Sequence, residues 1–324
     1  MLLSEIEKLP KIDLHCHLDG SISLNCIKNL LQRDVKVSEL QVSDDCKSLA
    51  EYLDKFDLPL QALQTKSGLQ QAGYDFLTEA AKENIKYIEV RFAPMLSVNE
   101  QLTCETVIQS VLEGLNEAKK VTGVDYQVIT CAMRHHSFEQ NMEMIKKART
   151  FLNEGVCAAD LAGNEAAFPM IQFKQLFEET YKLGMPFTIH AGECGSIENI
   201  LDAVLLKSKR IGHGIALRGN KKAMEICKNK RVGIEMCPIS NLQTKAVQGK
   251  EYYPMKEFLK EGLLVTINTD NRIVSNTTIT REIEFVQNNY GITDDEIVQM
   301  MKNAVYVSFT KDDFKEKLMN YYRN

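Results

Sequence analysis

Polar residues that could bind a metal ion follow several apolar runs of the sequence. His15 and His17 end the first run, and side chains two residues apart on a strand point to the same side. His190 and Asp270 end two later runs. Three imidazoles and one carboxylate offer nitrogen and oxygen ligands that suit zinc and leave one position open for water. The sequence therefore predicts a metal centre that holds Zn2+, one ion per chain, as its cofactor.

The alternative interpretation is a set of hydrogen-bonded core histidines without a metal. A lone buried histidine is more often of that kind than a ligand. Two histidines on one strand face, with candidates from two other strand ends, favour the metal, because the mouth of a barrel brings such distant positions together.

Two more residues could move protons beside this metal. Bound zinc lowers the pKa of its water to about 7, and His213, which lies between two glycines, could take the proton of that water. Glu193 lies just after His190 in the sequence. At an arbitrary position an exposed loop glutamate would be expected. The proximity of His190 instead favours a carboxyl beside a dry pocket, where a raised pKa suits an acid.

Eight short apolar runs must position these residues. They are nearly continuous in apolar character, as expected of strands in a parallel sheet that helices cover. The predicted strands are Lys11–Leu18, Ile85–Phe92, Tyr126–Arg134, Val156–Gly163, Pro186–His190, Arg210–Ile215, Val232–Cys237 and Leu263–Thr269. The helix-like segments between them include Gln101–Val121, Gln140–Glu154, Phe173–Leu183, Ile197–Ser208 and Met255–Glu261.

Strand and helix alternating about eight times predict an α/β fold, a closed (β/α)8 TIM barrel. In such a barrel the carboxyl ends of the strands meet at one mouth, where the polar residues would converge. A doubly wound sheet is the alternative, but it requires a phosphate loop after its first strand. The sequence has none there, and Gly212, Gly214 and Gly219 have the wrong spacing.

Two segments exceed a minimal barrel. Residues Asp19–Asn84 form a long insertion after the first strand, with Ser48–Phe56 as a clear helical piece. An insertion there lies on the catalytic face, so a lid and a helix packed on the rim are both open interpretations. Asp294–Asn324 predicts one or two terminal helices outside the barrel. No linker or repeat interrupts the chain, so residues 1–324 are expected to form a single domain.

Apolar residues of the insertion could cover a bound ligand or pack beneath the lid helix. A hydrolytic site beside a metal needs an apolar cover that excludes bulk water, which favours the covering role. The residues concerned are Leu53, Phe56, Leu58 and Leu60.

Composition narrows the classes of partner. The net charge of −5 offers no basic face, so no nucleic acid is expected to bind. No run approaches the roughly 18 apolar residues of a membrane span, and the acidic first residues do not resemble a secretory leader. Nine cysteines without a Cys-x-x-Cys pair indicate reduced thiols. We therefore expect a cytoplasmic protein with a small-molecule partner; the oligomeric state is not predicted.

The motifs, taken in order, resemble those of the adenosine deaminase family of the amidohydrolase superfamily. Each motif alone is weak, but six in this order are strong, and they cover the chain from residue 11 to about 285. They are His15-x-His17-Leu-Asp-Gly20, Asp160-Leu-Ala-Gly163, His190-Ala-Gly-Glu193, Gly212-His213-Gly214, Cys237-Pro-x-Ser-Asn241 and Thr269-Asp270.

This resemblance implies a reaction. Adenosine, and with it 2′-deoxyadenosine, would be hydrolysed to inosine and ammonia in purine salvage, by attack of zinc-bound hydroxide on purine C6. His17 would also lie against the substrate, and Asp270 would also take part in catalysis. In that family the zinc is held by the residues that match His15, His17, His190 and Asp270.

The resemblance also implies roles for four residues around the purine. The residue matching Glu193 protonates N1, and the one matching His213 positions and activates the hydroxide. The glycine matching Gly163 donates its backbone N–H to N3. The aspartate matching Asp19 contacts the ribose 5′-hydroxyl.

One position departs from the commonest pattern of the family. Many members have a second aspartate after the zinc aspartate, where this chain has Asn271. That residue is expected to donate a hydrogen bond to purine N7. An amide can donate whereas an ionised carboxylate cannot, so the change is compatible with purine binding.

Three other functions remain as alternatives. A different 6-aminopurine, adenine or AMP, could be the substrate, although Asp19 leaves room for ribose and would repel a 5′-phosphate. The same barrel could hydrolyse an ester, lactam or phosphotriester, with no need for Glu193 as an acid. A non-catalytic relative would be expected to lose metal ligands, yet all four candidates are present.

Overall fold

The computed structural model describes residues 1–43 and 46–323. In this part of the chain eight strands alternate with helices. The strands β1 to β8 are Lys11–His17, Ile85–Phe92, Asp125–Met133, Val156–Ala162, Thr188–Ala191, Arg210–His213, Gly233–Met236 and Leu264–Ile267.

Sixteen α-helices lie in the same described ranges. The helices α1 to α16 are Leu3–Lys8, Leu24–Leu31, Val37–Leu40, Leu49–Leu53, Asp57–Ala62, Lys66–Ala81, Cys104–Thr122, Phe138–Arg149, Lys174–Lys182, Ile197–Leu205, Lys221–Asn229, Pro238–Gln243, Met255–Lys260, Ile279–Tyr290, Asp294–Val307 and Asp312–Met319. Short 3-10 helices occur at Asp54–Phe56, Pro94–Leu96, Met170–Phe173, Ile215–Leu217, Lys250–Tyr252 and Asn320–Tyr322.

The strands form one closed parallel barrel. β1 to β4 pair in sequence order, and so do β5 to β8. At the seam between β4 and β5, the N–H of Ala159 donates to the carbonyl of Pro186. At the seam between β8 and β1, the N–H of His17 donates to the carbonyl of Asp270 at 2.6 Å, and the N–H of Asp270 donates to the carbonyl of His15 at 2.8 Å. The predicted (β/α)8 TIM barrel is therefore confirmed.

All eight predicted strands are present, and the differences lie at their ends. β5 begins at Thr188 rather than Pro186, and a proline has no N–H to donate to the ladder. β6 ends at His213 rather than Ile215, because Gly214 at φ +67° turns the chain out of the strand.

Helix ends follow local caps that the apolar pattern did not reveal. α8 begins at Phe138, two residues before the predicted start, since Ser137 and Gln140 form a capping box. The predicted helix Phe173–Leu183 corresponds to α9, which begins one residue later, directly after the 3-10 turn Met170–Phe173. The predicted terminal helices are α15 and α16, and α15 packs against β8 and β1; Asn324 lies outside the described residues.

The insertion after β1 crosses the mouth of the barrel. Its helices α2 to α5 precede α6, which returns to the barrel wall. The N–H of Val42 donates to the carbonyl of Val274, and the hydroxyls of Tyr52 and Ser275 lie 2.6 Å apart. The insertion is thus fastened to the loop that follows β8, on the face where the strands end.

Helices α6 and α7 pack closely because glycines lie where they cross. A Cβ on Gly114 would lie 1.9 Å from the carbonyl oxygen of Gln70, and one on Gly73 would lie 2.7 Å from that of Val111. The close approach of the two backbones therefore requires both glycines. Within the described residues no helix is long and apolar enough to span a membrane.

We expect Gly114→Ala to lower the free energy of unfolding by about 1–3 kcal/mol, because overpacking forces α6 and α7 apart. Chemical denaturation would measure the change. Glu117→Ala, at an exposed position of the same helix, is the control and should stay within about 0.5 kcal/mol of wild type. Equal stability of the two variants would contradict the proposed close packing.

Candidate active site

Four candidate metal ligands converge at the mouth of the barrel. His15 and His17 lie on β1, His190 lies on β5, and Asp270 follows β8. The Nε2 atoms of His17 and His190 are 3.2 Å apart. Asp270 Oδ1 lies 3.4 Å from His15 Nε2 and 3.5 Å from His17 Nε2. One donor atom from each of the four side chains therefore surrounds a common point.

The outer nitrogens of two of these histidines face buried carboxylates. His15 Nδ1 lies 2.8 Å from Glu235 Oε2, and His190 Nδ1 lies 2.8 Å from Asp160 Oδ2. A carboxylate that accepts a hydrogen bond from Nδ1–H keeps the proton on that nitrogen. The lone pair of Nε2 then faces the centre of the site. His15 Nε2 is buried and has no hydrogen-bond partner among the described residues. This orphaned nitrogen and the convergent donors fit a bound metal ion.

The other two ligands are also prepared for a cation. Burial, reinforced by the neighbouring His190 and His15, holds the pKa of His17 well below its usual range although Asp270 opposes the shift. His17 is thus neutral at pH 7, as a ligand must be. Ser240 Oγ donates to Asp270 Oδ2 at 2.5 Å. That bond leaves Oδ1 of the carboxylate to face the histidines.

Buried arginines keep the supporting carboxylates ionised. Arg91 donates to Asp160 and to Glu235, each at 2.9 Å, and Arg210 donates to Glu235 at 2.5 Å. Burial alone would raise the pKa values of both carboxyls. For Asp160 the neighbouring His190 and the charge of Arg91 outweigh burial, and for Glu235 the charges of Arg91 and Arg210 do, so both pKa values lie below the usual range.

Glu193 and His213 lie together on one wall of the mouth. Both are buried, with His213 Nε2 3.7 Å from Glu193 Oε2. Thr244 Oγ1 donates to Glu193 Oε1 at 3.1 Å. Asn241 Nδ2 lies 2.9 Å from His213 Nδ1, and Tyr253 donates its hydroxyl to the amide oxygen of Asn241. The amide therefore donates to Nδ1, which places the ring proton on Nε2, toward the cavity.

A cavity of about 370 Å³ opens beside these residues. Leu53, Phe56 and Leu60 of the insertion line it, as predicted for a cover. The prediction was wrong for Leu58, which is buried in the main core on another face of its helix. His135, although exposed, also lines the cavity.

Three predicted substrate-binding residues also line this cavity. Asp19 is buried, and burial raises its pKa to about 7. Gly163 adopts φ +105°, a conformation that favours glycine and exposes its backbone to the cavity. Asn271 is 3% exposed, and a Cβ on Gly20 would lie 1.9 Å from its side-chain oxygen. Gly20 is thus needed for Asn271 to occupy its position.

Several residues that support the site had no predicted role. Glu235 is the one charge in its apolar strand, and Arg91 lies in a strand that also has Lys86 and Glu89. A charge inside such a strand is a signal because unpaired burial is costly. Ser240 and Asn241 lay within a quoted motif, but their partners could not be named from spacing. Thr244 carried no signal, since nothing in its neighbourhood distinguishes it from an ordinary helix end.

A parallel (β/α)8 barrel with three histidines and one aspartate at its mouth defines a metal-dependent hydrolase of the amidohydrolase type. The chain belongs to the adenosine deaminase family, whose model matches residues 10–322.

Known relatives agree with this assignment. An adenosine deaminase of Clostridium botulinum (strain Okra / Type B1) is 42% identical over 327 residues, which cover 97% of each chain. Two solved structures share the fold at lower identity. An adenine deaminase from Arthrobacter aurescens has a TM-score of 0.87 at 22% identity and covers 97% of this chain and 98% of its own. An amidohydrolase from Burkholderia ambifaria with bound Zn has a TM-score of 0.87 at 20% identity. The match covers 99% of this chain and 91% of that one.

We expect Asp160→Asn to weaken zinc binding by about 10- to 100-fold, because an amide cannot hold the His190 Nδ1 proton as an ionised carboxylate does. Competition with a chelating dye would measure the affinity. The exposed Asp295→Asn is the matched control and should bind zinc like the wild type. Unchanged affinity in Asp160→Asn would show that this carboxylate does not orient the ligand.

Proposed function

We propose that this chain hydrolyses adenosine and 2′-deoxyadenosine to inosine and ammonia, with one zinc ion held by His15, His17, His190 and Asp270. One observation carries the proposal: the carboxyl of Glu193 lines the same cavity as His17, His190 and Asp270 and lies 3.7 Å from His213 Nε2. An acid at that place suits a substrate with a basic ring nitrogen that must be protonated before water adds.

The donor set supports zinc as the metal, since imidazole nitrogens and one carboxylate oxygen are common zinc ligands. The related amidohydrolase from Burkholderia ambifaria was solved with Zn. Zinc held by these residues would supply an activated water at neutral pH and would stabilise negative charge during the reaction.

Glu193 is the proposed acid. Thr244 Oγ1 holds its Oε1, so that Oε2 is the oxygen closer to His213 and free to face the purine. A proton passed from this carboxyl to N1 makes C6 electron-poor, and the oxygen of water then adds to C6. The water gives up two protons: one restores the Glu193 carboxyl, and the other passes to the amine. The C6–amine bond then breaks, and the amine leaves as ammonia.

His213 is the proposed partner of the attacking water. Asn241 donates to its Nδ1, and the proton on Nε2 therefore points toward the cavity. This imidazole orients the water through that N–H and stabilises the charge that develops on its oxygen. A role as the first proton acceptor would require the other tautomer, so the geometry favours the donor role.

The substrate is held by groups on the other side of the cavity. Asp19 can accept a hydrogen bond from the ribose 5′-hydroxyl. The backbone N–H of Gly163 can donate to purine N3, and the amide of Asn271 can donate to N7. Leu53, Phe56 and Leu60 would exclude water from the purine.

The cavity favours a nucleoside over a nucleotide. Within the described ranges no lysine or arginine lines it, whereas Asp19 and Asp57 do. A 5′-phosphate would bring negative charge to a wall that offers two carboxyl groups and no cation to bind it. AMP is therefore a poorer candidate than adenosine.

We further propose that residues 1–324 act as one domain, in the cytoplasm, on a small molecule. All nine cysteines are free thiols and eight of them are buried, which suits a reducing compartment.

Replacing the acid tests the mechanism directly. We expect Glu193→Gln to lower the rate of ammonia release from adenosine by about 10²- to 10⁴-fold, because an amide cannot protonate N1. Zinc should stay at one ion per chain, since Glu193 is not among the four ligands. Release at the wild-type rate from the zinc-loaded variant would refute the role of Glu193.

Truncating Asp19 tests the ribose contact. We expect Asp19→Ala to lower kcat/KM for adenosine by about 10- to 100-fold through the lost hydrogen bond to the 5′-hydroxyl. The matched substrate is 5′-deoxyadenosine, which lacks that hydroxyl and should react equally with both proteins. The same loss for the two nucleosides would show that Asp19 does not recognise the 5′-position.

A further inference from the structure

A buried carboxylate that has no part in the proposed mechanism lies beneath the turn after β5. Glu165 is 2% exposed and follows β4. Its Oε1 accepts from the N–H of Gly192 at 2.6 Å, and its Oε2 accepts from the N–H groups of Glu193 at 2.9 Å and Cys194 at 3.1 Å. Three successive backbone donors thus bind one side chain.

The turn itself needs this anion. Gly192 and Gly195 adopt φ +74° and +87°, which directs the intervening N–H groups to the same side. Convergent N–H groups in such a turn form a concave site for negative charge. A Cβ on Gly192 would lie 2.3 Å from Cδ1 of Ile200, so the turn has little freedom to relax.

A fourth donor fixes Glu165 from the far side. Asn199 Nδ2 donates to Glu165 Oε1 at 2.7 Å, and Asn199 Oδ1 accepts from the N–H of Met170 at 2.8 Å. The carboxylate is therefore bound between α10 and the segment after β4. It has little freedom to follow the turn if the turn moves.

We infer that Glu165 is the positioning residue for the acid Glu193. This inference rests on the proposed function. Glu165 binds the N–H of Glu193 itself, so it fixes the backbone from which the acid extends toward the cavity. Among the described residues, the carboxyl of Glu193 has one hydrogen bond, from Thr244 at 3.1 Å. Its place opposite N1 consequently depends on the backbone that Glu165 holds.

Glutamine at position 165 would disturb this arrangement without changing the size of the side chain. It replaces one accepting oxygen by an NH2 group, which would face N–H donors. The turn would then shift, and a displacement of about 1 Å at an acid can cost about 10²-fold in rate. The four metal ligands lie outside these contacts.

The first experiment compares Glu165→Gln with Glu198→Gln, the same chemical change at an exposed position just beyond the turn. We expect kcat for adenosine to fall by about 10- to 100-fold in Glu165→Gln, with KM within about threefold and zinc at one per chain. Glu198→Gln should match the wild type. A wild-type kcat in Glu165→Gln would overturn the positioning role. So would a variant in which only KM or the zinc content changes.

A double-mutant cycle separates positioning from general stability. If Glu165 acts through Glu193, the double variant Glu165→Gln/Glu193→Gln should be no slower than Glu193→Gln alone. Losses that multiply would overturn the inference. If Glu165→Gln does not fold, Glu165→Asp replaces it in the cycle; it keeps the charge and should lose less than about tenfold in kcat, with the same non-additivity.

The wild type distinguishes failure of the inference from failure of the proposed function. A zinc-loaded wild type that releases no ammonia from adenosine overturns the proposed function, and the inference with it. An active wild type whose Glu165 variants fail the cycle overturns the inference alone.

Discussion

The hydrogen bonds that close the barrel between its last and first strands also assemble its chemistry. The N–H of Asp270 donates to the carbonyl of His15, and the N–H of His17 donates to the carbonyl of Asp270. Three of the four ligands are thus held by the seam itself. Asp270 adopts φ +59° there, which is costly for a residue with a side chain. The strain is tolerable because two backbone bonds and Ser240 fix the residue from different sides.

The second constraint is the cost of burying charged side chains. It is reduced because Glu235 and Asp160 lie beside buried arginines of opposite charge. Glu235 lies between Arg91, Arg210 and His15 in the barrel interior, all without solvent exposure. A single charge at this depth would be strongly destabilising, whereas a paired set with its hydrogen bonds filled is tolerated. The same carboxylates that neutralise the arginines also orient the histidines. The same ion pairs therefore stabilise the barrel interior and orient the candidate metal ligands.

Most of the fold and the convergence of the ligands could be predicted from the sequence. Eight apolar runs separated by helical segments admit few topologies, and a barrel brings the polar strand ends to one mouth. Whether each of these residues performs its proposed role remains a prediction. The pairing of Arg91 with Asp160 and Glu235 could not be predicted, because it depends on which residues of three strands share a level inside the barrel.

Features that depend on the direction of individual side chains could not be predicted from the sequence either. Leu58 and Leu60 are equally apolar, yet Leu58 lies within the core, whereas Leu60 packs at the edge of that core and also lines the cavity. The contact of Gly20 with Asn271 joins the loops after β1 and β8. Neither loop alone indicates how close the other comes.

The seam has a consequence for how metal binding and folding are coupled. Its members come from opposite ends of the chain, as the bond from Thr269 to Asp13 across 256 positions shows. In the unfolded chain the two sides of the seam are far apart, so a metal ion held by the proposed ligands would bind strongly only once the whole barrel has closed. Such an ion would link the first and last strands of the barrel. Its binding free energy would add to the stability of the whole barrel rather than to that of one loop.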